Sequence, residues 1–83
     1  MSFNETMKFK IETDHDSQVR DIMSKVYKAL REKGYDPVNQ IVGYVLSGDP
    51  TYITSHAGAR GLITKLEQDE LLEVFVKKYL DTL

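Results

Sequence analysis

The stretch GYDPVNQIVGYVLSGDP, Gly34–Pro50, is the most apolar part of the chain, and its reading decides the fold. It holds three glycines and two Asp-Pro pairs, so it reads either as a glycine-bearing ligand cradle or as a helix between two turns. Asp36 followed by Pro37 is the pattern of an N-cap and a first helical residue, because proline there gives up no needed hydrogen bond. Val38, Ile41, Val42, Val45 and Leu46 then recur at intervals of three and four, the spacing of one helical stripe. Gly43 falls off that stripe, on a flank where a neighbour can come close. Gly48 ends the helix. Asp49 and Pro50 repeat the start signal for a short helical turn, Thr51 to Ile53. The cradle reading fails: a P-loop needs Lys and Ser or Thr after its second glycine, and Gly48 is followed by Asp49 and Pro50. The expectation is a buried core helix, with Ile41 and Leu46 among its inward residues.

Outward from that helix, the chain reads as helical on both sides. Val19, Ile22, Met23, Val26, Tyr27 and Leu30 form an amphipathic stripe over residues 17–33, with Asp16 or Ser17 as its cap. Arg31 and Lys33 suit its last turn, and Gly34 is its left-handed stop. Ser55 is the expected cap of a third helix over residues 56–67, with Ala59, Leu62, Ile63 and Leu66 inward. Asp69 opens a last helix through Leu83, with a main stripe of Leu72, Phe75, Val76, Tyr79, Leu80 and Leu83. Leu71 and Val74 add a second apolar edge, which suggests burial on two sides, one of them against another subunit. Before Ser17, only Met7, Phe9 and Ile11 alternate with lysines. A strand that short needs a partner, so residues 1–15 read as a mobile or pairing N-terminal tail. The fold class is all-α: a compact bundle of four helices plus a short helical turn, one domain over residues 16–83, and a flexible tail.

The totals narrow the function. Eighty-three residues bury only a modest core, and without Cys no disulfide supports it, so dimerisation is the natural way to bury more. The absence of Cys also fits a reducing cytoplasm. A formal charge of −2 and a pI near 5.6 argue against nucleic acid and against a polybasic membrane surface. MSFNETMKFKIETD has no apolar run of signal-peptide length, and no segment suits a bilayer. His15 and His56 are too far apart in sequence to suggest a metal cluster. The expectation is a cytoplasmic protein with no metal and no cofactor.

Catalytic readings are weak. Ser47, Asp49 and His56 have the residue types of a triad but no nucleophile elbow around them. Glu67, Asp69, Glu70 and Glu73 crowd the start of the last helix, where negative charge complements the helix dipole. GARG at Gly58–Gly61 resembles in miniature the Gly-x-x-Gly backbone clamp of KH domains, but that clamp sits beside a sheet and none is expected here. Close packing of two helices over the glycines is the simpler account. A small nucleic-acid-binding module using Arg60, Lys65, Lys77 and Lys78 is the alternative function; the acidic pI opposes it. Thr6, in FNETMKF and outside any expected helix, is an accessible hydroxyl of the kind a Ser/Thr kinase modifies.

REKGYDP at Arg31–Pro37, NQIVGYVLSGDPTYI at Asn39–Ile53 and ARGLITKLEQDELLEVFVKKYL at Ala59–Leu80 together resemble the IreB family of regulatory phosphoproteins of Gram-positive bacteria. The likeness runs from ETMKF to KKYL. It implies an all-helical homodimer and no catalytic residues. It implies a tail threonine, matching Thr6, phosphorylated by a membrane Ser/Thr kinase and reset by a phosphatase. It also implies a part in cell-wall homeostasis, through Clp-dependent turnover of an enzyme early in peptidoglycan precursor synthesis. The chain departs from the family pattern in the third helix: Thr54 and Ser55 precede His56, Thr64 and Lys65 follow Ile63, and Gln68 stands where an Arg is usual. Arg60 and Lys65 keep part of the basic character and are the expected partner-binding residues.

Overall fold

A computed structural model describes the backbone of residues 3–83 and the side chains of residues 15–83. Four helices follow in order: α1 (Phe3–Glu32), α2 (Pro37–Ser47), α3 (Ala59–Ile63) and α4 (Gln68–Leu80). Short 3₁₀ turns at Pro50–Tyr52 and His56–Gly58 lie between α2 and α3. The described residues form no strand, in keeping with the all-α expectation. The helical backbone begins at Phe3 and not at the cap expected near Ser17. No Pro or Gly interrupts the sequence before Gly34, and Met7–Ile11 find no second strand to pair with. The expected mobility of the tail and the side chain of Thr6 lie outside the described residues, whose side chains begin at His15.

Helix ends follow local chemistry. Gly34 is left-handed at φ 80°, and two bonds close the end of α1: Gly34 N–H to Arg31 O at 3.0 Å and Tyr35 N–H to Leu30 O at 2.9 Å. Asp36 accepts from Val38 N–H at 3.0 Å and so caps α2. At the other end Gly48, at φ 71°, donates to Tyr44 O at 2.7 Å. Asp49 caps the next turn by accepting from both the N–H and the hydroxyl of Thr51. Glu67 precedes α4, and its N–H donates to Glu70 Oε1 at 3.3 Å, part of a capping box that starts the helix one residue before Asp69.

The third helix differs from expectation. Ala57 sits at φ 53° and Gly58 at φ 74°, so two consecutive left-handed residues break the segment. What remains is one 3₁₀ turn and the five residues of α3, followed by turns through Leu66. Ser55 makes no capping bond; Thr54 Oγ1 accepts from His56 N–H instead. The glycines of GARG do not serve close packing, since a Cβ at Gly58 or Gly61 would meet nothing within 4 Å.

The core lies where α1, α3 and the first turn of α4 meet. Val19, Ile22, Val26, Ala29 and Leu30 of α1 close on Ala59 and Ile63 of α3, with Ile53, Leu66 and Leu71 filling between. Helix α2 contributes only Tyr44 to the fully buried set. Ile41 and Val45 are half-buried, and Leu46 is 79% exposed, so α2 is not the buried core helix its stripe suggested. The reason is geometric: α2 leans mainly on α4 and the Pro50–Tyr52 turn, with a smaller contact to α1, and the outer part of its stripe, Val38, Val42 and Leu46, is left uncovered. In α4 the expected order of edges is reversed. Leu71 is fully buried and Val74 partly, whereas Leu72, Val76, Tyr79, Leu80 and Leu83 are exposed.

Candidate functional site

The outward stripes of α2 and α4 enclose an apolar groove. Its wall on α2 runs from Pro37 through Val38, Ile41, Val42 and Val45 to Leu46; Leu72 and Phe75 of α4 form the other wall, and Met23 and Tyr27 of α1 the end. The groove encloses about 440 Å³, and every residue lining it is apolar or aromatic. Helix α2 has no charged residue in its eleven. Val38, Val42 and Leu46, spaced by four, stand up as a ridge on its rim, 69%, 48% and 79% exposed. A contiguous apolar surface of this kind marks an interaction site, unlike a scattered exposed leucine.

The groove is held open by the packing behind it. Tyr44 points the opposite way from the ridge, into the core, and its hydroxyl donates toward the carbonyls of Ile63 at 3.4 Å and Leu66 at 3.3 Å. Burial pushes its phenol above the ordinary tyrosine value. The Tyr52 ring lies against the backbone of Gly43, where a Cβ would collide with it. That is the close approach expected at Gly43. Gln68 Nε2 donates to Val45 O at 3.2 Å, and its side chain lies over Gly48. The residue that departs from the family pattern therefore ties the C-terminal end of α2 to the start of α4.

The polar candidates sit elsewhere. Arg60 Nε donates to Ile53 O at 2.9 Å, which pins the loop after the Pro50–Tyr52 turn. Its charge also helps hold the Asp49 carboxyl below the usual carboxylate range, after the larger effects of the Thr51 hydroxyl and N–H. Lys65 is exposed in the turn after α3. Among the described residues neither Arg60 nor Lys65 joins an ion pair. The three triad candidates are each engaged apart from the others. Ser47 Oγ donates to Gly43 O at 2.7 Å and accepts from Asp49 N–H, Asp49 holds Thr51, and His56 Nε2 lies 3.2 Å from Glu32. Among the acidic cluster, Glu70 faces His15 at 3.6 Å and Glu73 pairs with Lys77 at 3.2 Å. The described residues contain no cluster of His, Cys, Asp and Glu suited to a metal, and no helix long and apolar enough to cross a membrane.

Sequence reading anticipated an outward edge on α4 but not that α2 shares it. The available signal was the one that made α2 look like core: it is more apolar than its single buried flank requires. A family model described as IreB regulatory phosphoprotein matches residues 4–81. A protein named UPF0297 from Acetivibrio thermocellus is 58% identical over 81 residues, covering 98% of this chain and 90% of its own length. Another of that name, from Ruminiclostridium cellulolyticum, is 52% identical, covering 98% of this chain and 92% of its own.

Proposed function

We propose, from the premise that the chain belongs to the IreB regulatory phosphoprotein family, that it is a non-enzymatic adaptor controlled by phosphorylation at Thr6. In this reading residues 1–15 are the regulatory segment, and the helical domain is a cytoplasmic homodimer. A membrane Ser/Thr kinase adds the phosphate and a phosphatase removes it. The two states differ in how they promote Clp-dependent turnover of an early peptidoglycan-precursor enzyme. The observation that carries the reading is the family match, whose span takes in Thr6.

The physical chemistry of the chain supports this choice of residue. A phosphate adds about −1.5 to −2 charges at pH 7. The surrounding segment already carries Glu5, Glu12, Asp14 and Asp16 against only Lys8 and Lys10. Modification therefore creates a strongly acidic arm suited to a basic docking face such as one containing Arg60 and Lys65. Three of the other hydroxyls are engaged within the helical domain: Thr51 Oγ1 bonds to Asp49, Thr64 Oγ1 to Gly61 O, and Thr54 Oγ1 accepts from His56 N–H.

Incubation with the cognate kinase domain is expected to add one phosphate, at Thr6 in preference to Ser2 or Thr13. Thr6→Ala should abolish the label and leave the helical circular dichroism intact. A phosphate mapped to Thr51, Thr54 or Thr64 defeats the assignment. A pull-down comparing unmodified and Thr6-phosphorylated protein then tests the adaptor role, which requires at least one partner to be retained in one state and lost in the other.

A further inference from the structure

We infer that a second groove, between α1 and the later turns of α4, docks an acidic and apolar segment of another protein. This rests on the adaptor reading above for its biological partner, and gives that partner a surface. The groove encloses about 470 Å³. Its floor is the buried Val19 with Met23, Val74 and Phe75, each half-buried. Its walls are charged: Asp16 and Arg20 stand on α1 and Lys78 on α4, all three exposed. It adjoins the apolar groove at Met23 and Phe75, which line both. The two differ in chemistry, since no charged side chain lines the first.

The charges point to the occupant. Nearby cations are matched: Lys77 pairs with Glu73, and Lys25 with Asp21. Among the described residues Arg20 and Lys78 join no ion pair, and Asp16, one helical turn before Arg20, does not pair with it. The groove therefore offers two unmatched cations, one on each helix, above an apolar floor. A wholly apolar occupant covers the floor but strips water from both cations and returns nothing for it. An apolar side chain flanked by carboxylates satisfies floor and walls together. Arg20 adds a planar fork of donors suited to a carboxylate.

Other anions fit less well. A nucleic acid calls for a basic surplus, whereas the chain carries a formal charge of −2, and it leaves the apolar floor unused. An anionic bilayer surface attracts clusters of about four to eight Lys or Arg, and this groove has two cations with Asp16 beside them. A short peptide segment engages both cations without bringing a broad sheet of negative charge against Asp16.

The test uses the full chain and fluorescence anisotropy. A short fluorescein-labelled peptide of alternating Leu and Glu should bind, and its affinity should fall as salt is raised, because exposed charges are screened. The double variant Arg20→Glu/Lys78→Glu should weaken that binding about tenfold or more. Its helical circular dichroism should be preserved, because both side chains are exposed. A peptide of alternating Leu and Lys should show the reverse preference, for the variant over the wild type. Equal binding of the Leu–Glu peptide by wild type and variant, or binding by neither, overturns the site. Equal binding of a peptide of alternating Ser and Glu overturns the part assigned to the apolar floor. Binding of phosphatidylglycerol vesicles in place of the peptide gives the groove to a lipid surface, and a change of molecular mass in the variant gives it to a contact between copies; either overturns the peptide occupant. Labelling of Thr6 by the kinase is read separately: its failure defeats the phosphorylation reading and leaves this groove standing, and loss of peptide binding leaves the labelling untouched.

Discussion

Helix α1 is mixed and strongly charged, yet Val19, Ile22, Val26, Ala29 and Leu30 are all buried where it packs on α3. Helix α2 carries no charge in eleven residues and fully buries one of them, Tyr44. The more polar helix thus holds the core, and the more apolar one forms a surface. The difference lies in neighbours. α1 has α3, the His56–Gly58 turn and α2 laid along it, whereas α2, touching α1, α4 and the Pro50–Tyr52 turn, leaves the Val38–Val42–Leu46 side of its stripe uncovered. An apolar stripe states that a helix face prefers to leave water; it does not say which chain will cover that face.

The comparison makes stability follow the buried set and the ends of α2, and not the apolar character of its stripe. Leu30→Ala, at a fully buried position, should cost about 2–5 kcal/mol in chemical denaturation. A loss well under 1 kcal/mol there would mean that the core has been placed wrongly. Gly48→Ala comes next, because a Cβ at φ 71° is strained by about 1–2 kcal/mol and must also displace the Gln68 side chain. Asp36→Ala removes the N-cap of α2 and should cost about 1 kcal/mol. The smallest effect is expected at Leu46→Ala. Its side chain is 79% exposed, so the truncation should change stability by no more than about 0.5 kcal/mol. If Leu46→Ala matched Leu30→Ala in dilute solution, the two helices would not differ in the way described.

Much of this was legible in the residues, for reasons specific to each. The ends of α2 were readable because Asp36, Pro37 and Gly48 act through their own backbone geometry, which needs no tertiary context. The stop at Gly34 and the Asp49-Pro50 turn were readable for the same reason. The third helix was overextended because Ala57 favours right-handed helix in isolation, and only the surrounding fold sets it at φ 53°. The start of α1 was placed late because Asp16 and Ser17 are good capping types, and a residue type does not reveal whether the helix has already begun. The groove was hidden because periodicity marks Val38, Val42 and Leu46 as one stripe without saying whether its cover belongs to the same chain. Thr6 became specific only through the family resemblance, since its local residues mark an accessible hydroxyl and no more.

The buried phenol of Tyr44 gives the molecule an optical gauge of its own fold. The chain has five tyrosines and no tryptophan, so its near-ultraviolet absorbance is dominated by phenol rings. Tyr27, Tyr35, Tyr52 and Tyr79 are exposed; Tyr44 is not. In an alkaline titration Tyr44 should hold its proton beyond the ordinary phenol range, because burial favours its neutral form. The linkage has a definite sign. The folded state holds that proton to higher pH than the unfolded chain does, so this contribution to stability is complete below pH ~10 and fades as the pH rises above it. Loss of the Tyr44 proton also ends its donation to the carbonyls of Ile63 and Leu66. Formation of the Tyr44 phenolate should therefore coincide with release of α2 from the joint between α3 and α4, followed by absorbance with no added label.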